Sequence, residues 1–224
     1  MHGKTEDALT RAQTNLLLYS QLIESGWTDR DVAFIHDIYR EVVRLTYGTY
    51  RPNWKPFDSH LVGVASIVAR DTADRVLVGT ALAHTALTYG RFPPMVRFMG
   101  KKESYLEERI GSEVFTMMRR YLESDLGKLT APGYPATQSE QIIIHLKLAD
   151  LLDDLIDELA PVKTGKKLFV ALDDEPGLKN CARIAEEIGA EGLKAGFEAL
   201  NSAIRHRPAI LEETKSTFIF KRRL

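Results

Sequence analysis

One cysteine, Cys181, stands among 224 residues, so the chain has neither an internal disulfide nor a Cys cluster for zinc. It has no surplus of charge. Lys+Arg number 30 and Asp+Glu 31, and a formal net charge of −1 argues against a dominant electrostatic affinity for nucleic acid. No apolar run approaches the roughly 20 residues that span a bilayer. The opening MHGKTEDALTRAQ carries no apolar stretch of the kind that directs export, so a cytoplasmic setting without a membrane partner is expected. Glycine (15) and proline (9) are too few for a collagen-like or low-complexity chain. Glycine-rich phosphate loops, HExxH and GxSxG are missing as well. What is present, 44% hydrophobic residues, suits one folded domain over 1–224.

The apolar spacing is helical almost throughout. Residues 8–25 place Leu9, Leu16, Leu17, Leu22 and Ile23 before a stop at Ser25-Gly26. Thr28 to Asp31 has the form of a capping box, with Asp in the acidic position. Behind it Ile35, Ile38, Tyr39 and Val42 repeat at i, i+3, i+4, i+7, and Gly48 marks a stop. Two prolines break 51–56. Asp58 or Ser59 is positioned to cap a third helix to about Arg70. A fourth is expected from Asp74 to Tyr89, with His84 in its middle, and another from Ile110 to Leu122. Residues 90–103 are ambiguous around Pro93-Pro94, and 124–138, with two Gly and two Pro, reads as a loop. Ser139 to Leu159 is the best-defined helix, and Leu178 to Arg205 reads as one more. Only Phe218-Ile219-Phe220 hints at a strand, so the expected class is all-α.

Three residues from three different helices carry the chemistry. His60 opens the third helix after a rigid loop, His84 lies among small apolar residues, and Asp150 belongs to the long helix. Imidazole nitrogen and carboxylate oxygen suit a divalent first-row ion, which lowers the pKa of bound water and orients a phosphate ester. Each residue also has a plain reading. A histidine on an apolar helix face is commonly a hydrogen-bonded core residue. Asp150 with Asp153, Asp154 and Asp157 forms a stripe at i, i+3, i+4, i+7 of the kind that usually faces water. Trp54 and Phe57 have the shape to stack a planar ligand or to pack their loop onto the bundle. Lys101-Lys102 and Lys166-Lys167 read as phosphate contacts or as solubilising lysines, Lys221-Arg222-Arg223 as a basic tail, and Cys181 as a core residue.

Order and spacing add a resemblance. Tyr50-Arg51-Pro52-Asn53-Trp54-Lys55-Pro56-Phe57-Asp58-Ser59-His60, followed by Leu61-Val62-Gly63-Val64-Ala65, resembles the HD-domain superfamily, and most of all the hydrolase domain of the RelA/SpoT-type (p)ppGpp enzymes. There an Arg, a short loop, an aromatic and a metal-binding His precede a helix reading roughly "HPxxVAxIL". His84, 24 residues beyond His60, matches the His of the signature His-Asp pair. Ile110-Gly111-Ser112-Glu113-Val114 resembles the family's "FGxEV" segment, and Lys147-Leu148-Ala149-Asp150 resembles the end of its "IKLAD" helix. The resemblance covers about residues 36–158. It implies an HD-like multi-helix bundle with its core over 28–159, helical extensions over 1–27 and 160–224, and metal ligands His60, His84 and Asp150. It further implies that Arg51 contacts a phosphorylated ligand and that the ion is Mn, Fe or Zn.

The departures bear on activity. Thr85 stands where the Asp of His-Asp belongs, and the family's acidic pair downstream falls at Thr88-Tyr89, which removes its general base. After Asp150 the family's Arg-x-His-Asn becomes Leu151-Leu152-Asp153-Asp154. Asp154, one turn from Asp150, is positioned to face the same cavity, and an acidic wall there would repel a phosphorylated ligand. His36-Asp37 is a literal His-Asp pair in the wrong place for the pattern. His60, His84 and Asp150 leave a divalent ion one positive charge over, although three ligands and an open position hold metal in many sites. Two expectations follow: a metal-dependent phosphohydrolase relative with altered or lost hydrolysis of nucleotides or other phosphate esters, in which the metal is retained or absent, or a non-catalytic module that binds a small ligand or a protein partner, homo-oligomers included.

Overall fold

Thr14, Thr28, Asp74 and Asp125 cap helix starts with their side chains, whereas the third helix starts already at Phe57 behind Pro56, so the expected caps Asp58 and Ser59 lie inside it. In the computed structural model, which describes residues 8–51, 55–131, 134–159 and 175–205, about three-quarters of the described residues are helical and none is in a strand. The all-α expectation is met. Helix α1 (Asn15–Glu24) starts at Thr14, whose hydroxyl accepts from Leu17 N, and α2 (Asp29–Thr46) starts at Thr28, whose hydroxyl accepts from Asp31 N. Asp31 receives the Thr28 hydroxyl at 2.6 Å, so the expected box closes between side chains.

The chain then turns through Gly48 (φ 68°) into the loop before α3 (Phe57–Val68). Every residue of α3 from His60 to Val68 is buried, as befits a helix that is apolar all round. It packs on α4 (Arg75–Ala83), and this central pair is enclosed by α1, α2, α8 (Ser112–Glu123) and α10 (Gln138–Leu159). Between them lie α5 (Ala86–Tyr89), α6 (Pro94–Phe98), α7 (Lys102–Ile110) and α9 (Leu126–Leu129). Residues α11 (Glu175–Glu187) and α12 (Glu191–Arg205) pack on each other, and α12 lies against α3 and α10. No described helix is long and apolar enough to cross a membrane.

Four expected helices change in the structure. The expected helix over 8–25 is interrupted: Ala8 and Leu9 are helical, residues 10–14 are not, and α1 begins at Asn15. This stretch lies on the bundle, with Ala12 N–H donating to Ser66 Oγ (2.9 Å) and Arg70 donating to Ala8 O (2.8 Å). The helix expected from Asp74 to Tyr89 ends at Ala83, so His84 is a C-cap residue and not a mid-helix one; its ring donates to Ala81 O (2.7 Å), a carbonyl left open at a helix end. Gly111 (φ 84°) separates α7 from α8, and Gly189 (φ 74°) splits the expected 178–205 helix. At both points a backbone that L side chains rarely adopt ends the helix. Phe218-Ile219-Phe220, Lys166-Lys167, the basic tail and Trp54 lie outside the described residues.

Candidate metal centre

The loop before α3 sets the first ligand. Arg51 N–H donates to Lys55 O (3.0 Å) and Phe57 N–H to Thr49 O (3.1 Å), bonds that pin the start of α3 and so place His60 in its first turn. The end of α4 brings His84, and α10 brings Asp150. His60 Nε2 lies 3.2 Å and His84 Nε2 3.4 Å from the same oxygen, Asp150 Oδ1. His60 and His84 are buried, and the two rings are 5.3 Å apart at 67°. The three residues expected from separate helices therefore come together in one place.

Hydrogen bonds on the far side of each ring fix what faces inward. His60 Nδ1 donates to Asp153 Oδ2 (2.8 Å), and His84 Nδ1 donates to Ala81 O. Both rings thus turn Nε2 towards Asp150, an orientation common among histidines that bind metal. The Tyr121 hydroxyl takes the other oxygen of Asp150, leaving Oδ1 to the centre. In the neutral rings, three lone-pair-bearing atoms then converge with no hydrogen between them. Only a cation, a proton or a metal ion, relieves that arrangement. His84 Nε2 is buried without a hydrogen-bond partner, which makes the donor set fit a divalent ion. The Thr85 hydroxyl, in the position of the expected Asp, is likewise buried and unpartnered.

The electrostatics favour positive charge beside Asp150 and Asp153. Burial pulls the His60 pKa down, but hydrogen bonds to Asp150 and Asp153 outweigh it and lift the ring to about 9. Burial opposes the ionisation of Asp150, yet the two imidazoles hold its carboxyl well below the usual carboxylate range. Asp153 is also lowered: burial opposes this, while His60 and Arg11 prevail. Asp154 moves the other way, pushed up by burial and by Asp150 against the pull of Arg51.

The acidic stripe on α10 does not face water as its spacing suggested. Asp153 has no exposed surface, and Asp157 is nearly covered. Arg11 pairs with both, Arg51 pairs with Asp154, and Lys55 Nζ binds Asp157 at 2.8 and 2.9 Å. In the cavity wall Arg51 answers Asp154, while Arg11 and Lys55 balance Asp153 and Asp157, which do not line the cavity. Asp153, Arg11 and Lys55 are the residues that sequence reasoning missed. One signal was available: Gly63 sits in the middle of a fully buried helix. A Cβ there would lie 2.1 Å from Asp153 Oδ1 and 3.2 Å from Arg11 Nε, so the glycine leaves room for the ion pair beneath His60.

Above the centre opens a cavity of about 630 Å³ lined by Arg51, His60, Asp150 and Asp154, with Thr85 and the rings of Tyr50, Phe57 and Tyr89. Phe57 is buried and its ring lies 4.7 Å from that of Tyr89, so it both packs the loop and walls the cavity. His36 is exposed and bonded to Tyr19, away from this site. Cys181 is half-buried and packs against the core. The chain matches no known family model and no curated protein.

Proposed function

We propose that this chain is an HD-type helical protein in which His60, His84 and Asp150 hold one divalent ion (Mn, Fe or Zn), and in which the cavity above takes a small phosphorylated molecule. The observation that carries this reading is the pair of Nε2 atoms aimed at one oxygen of Asp150, with His84 Nε2 buried and unpartnered. When bound, the ion supplies a Lewis acid that polarises a phosphoryl oxygen. The chain's own groups do the rest. Arg51, held by Asp154, presents a guanidinium in the cavity wall for a phosphate. Phe57 and Tyr89 form an apolar wall for the remainder of the ligand. Asp154, with its carboxyl pushed up by burial, is the cavity carboxylate outside the ligand set and the candidate proton acceptor.

A second reading, ligand binding without hydrolysis, is favoured by Thr85. Its hydroxyl leaves the ligand set a single negative charge, and Thr88-Tyr89 offers no base. Protein purified without chelator tests the common part of both readings. It is expected to carry stoichiometric transition metal and to gain thermal stability with Mn²⁺, and His84→Ala is expected to abolish both. Absence of metal together with no thermal shift sinks the proposal. Thr85→Asp, which supplies the missing carboxylate, is expected to raise Mn²⁺ affinity at least about tenfold in calorimetry. Release of phosphate from a panel of nucleotides and phosphate esters separates the hydrolytic reading from the binding one.

A further inference from the structure

The segment from Tyr89 to Lys102 has a composition unlike the rest of the chain. It reads YGRFPPMVRFMGKK, with four cations and no carboxylate, in a protein whose net charge is −1. Phe92 and Val96, one turn apart, hold it to the bundle, Phe92 buried and Val96 packed on the core. Met95, Phe98 and Met99, spaced i, i+3, i+4 on and just after α6, leave the bundle altogether. Phe98 is 89% exposed, Met95 67% and Met99 52%. Among the described residues Phe98 is the most exposed large apolar side chain. Arg91, Arg97, Lys101 and Lys102 are all exposed around them; Arg91 donates to Gly48 O and Lys102 lies over the Phe92 ring, but among the described residues none of the four forms an ion pair with a carboxylate.

Solvent accounts for neither half of this surface. Three large apolar side chains together on a projecting turn gain nothing in water, and four like charges without counter-ions repel one another. Both are relieved on an anionic bilayer. Apolar side chains enter the headgroup boundary while the flanking Lys and Arg meet lipid phosphates, which is the division of labour in peripheral membrane anchors. Nucleic acid would answer the charge and stack a base on Phe98, but would leave both methionines exposed. We propose that this segment docks the protein reversibly on an anionic membrane surface. Tyr89, which begins the segment, also lines the cavity, so docking keeps the cavity mouth close to the lipid interface.

Sedimentation of the full chain with sucrose-loaded vesicles tests this without reference to the metal centre. Vesicles of phosphatidylcholine with about one-third phosphatidylglycerol are expected to bring the protein down at low salt, and pure phosphatidylcholine vesicles are not. Phe98→Ser is expected to weaken the partition roughly tenfold or more, and Lys101→Glu with Lys102→Glu by at least about fivefold per site. These side chains are exposed, so an unchanged melting temperature accompanies the loss. The proposal is overturned if the wild-type chain stays in solution with the anionic vesicles. It is equally overturned if the variants sediment as the wild type does, since lipid is then met elsewhere, for instance by the basic tail at 221–223. Retention of single-stranded RNA without vesicle binding, or a dimer that Phe98→Ser dissolves without vesicle binding, also refutes it in favour of those partners.

Discussion

A carboxylate with no exposed surface needs its charge answered from more than one direction. Asp153 receives Arg11 Nε on one oxygen and His60 Nδ1 on the other. It thereby sets the tautomer and the tilt of a metal-site histidine without touching the centre itself. Partners of this kind commonly contribute 10–100-fold to metal affinity. Asp153→Asn keeps the volume and removes the charge; its Mn²⁺ affinity, read by calorimetry, is expected to fall by about that factor while the helical circular dichroism signal persists. The same position shows why part of the site was hidden in the sequence. His60, His84, Asp150 and Arg51 announce themselves by residue type and order. Asp153 is one more acidic residue on a periodic stripe until the tertiary packing places Gly63 and Arg11 against it.

At the scale of elements, two contacts tie segments outside the central bundle to it. Arg11, in the stretch before α1, reaches Asp153 and Asp157 on α10, some 140 residues away in sequence. Its side chain is 8% exposed. Removing one partner of a buried ion pair leaves a charge without compensation, so Arg11→Met is expected to cost about 3 kcal/mol in urea denaturation. Asp71, just beyond α3, accepts from Gly192 N–H and from Leu193 N–H (3.0 Å), and so caps α12 from another part of the chain. A Cβ on Gly192 would meet the Asp71 carboxylate at 2.7 Å, which is why the first turn of α12 carries glycine there. Asp71→Ala is expected to lower stability by about 1 kcal/mol, the usual worth of a lost cap, in the same assay. Local signals did reveal the caps at Thr28 and the long helix α10. The cap on α12 has no local signal, because its donor and acceptor sit about 120 residues apart.

For the whole molecule, His145 makes stability depend on pH. It is buried on α10 with Nε2 3.7 Å from Asp71 and no hydrogen bond to that nitrogen. Burial lowers its pKa below the ordinary 6.5, against the opposing pull of Asp71. The unfolded chain therefore takes up a proton near pH 6.5 that the folded chain resists. Stability is full above that value and falls as pH drops below it, towards the depressed folded pKa. Melting temperatures measured from pH 8 to 5 are expected to decline below about pH 6.5 in the wild type and to decline less in His145→Gln.

The sequence by itself determined the helices and the residue types of the centre. Apolar spacing at 3.6 residues, caps and glycine stops are local physics, and imidazole and carboxylate side chains keep their chemistry wherever they are placed. It also left open where each helix would break: α4 ends at Ala83, and the His84 ring then satisfies the carbonyl of Ala81. Only the tertiary structure decided that the aspartates of α10 turn inward. That outcome rests on Arg11 and Lys55 arriving from distant segments to balance them, and charge balance in a buried place is a property of neighbours, which a linear order of residues does not contain.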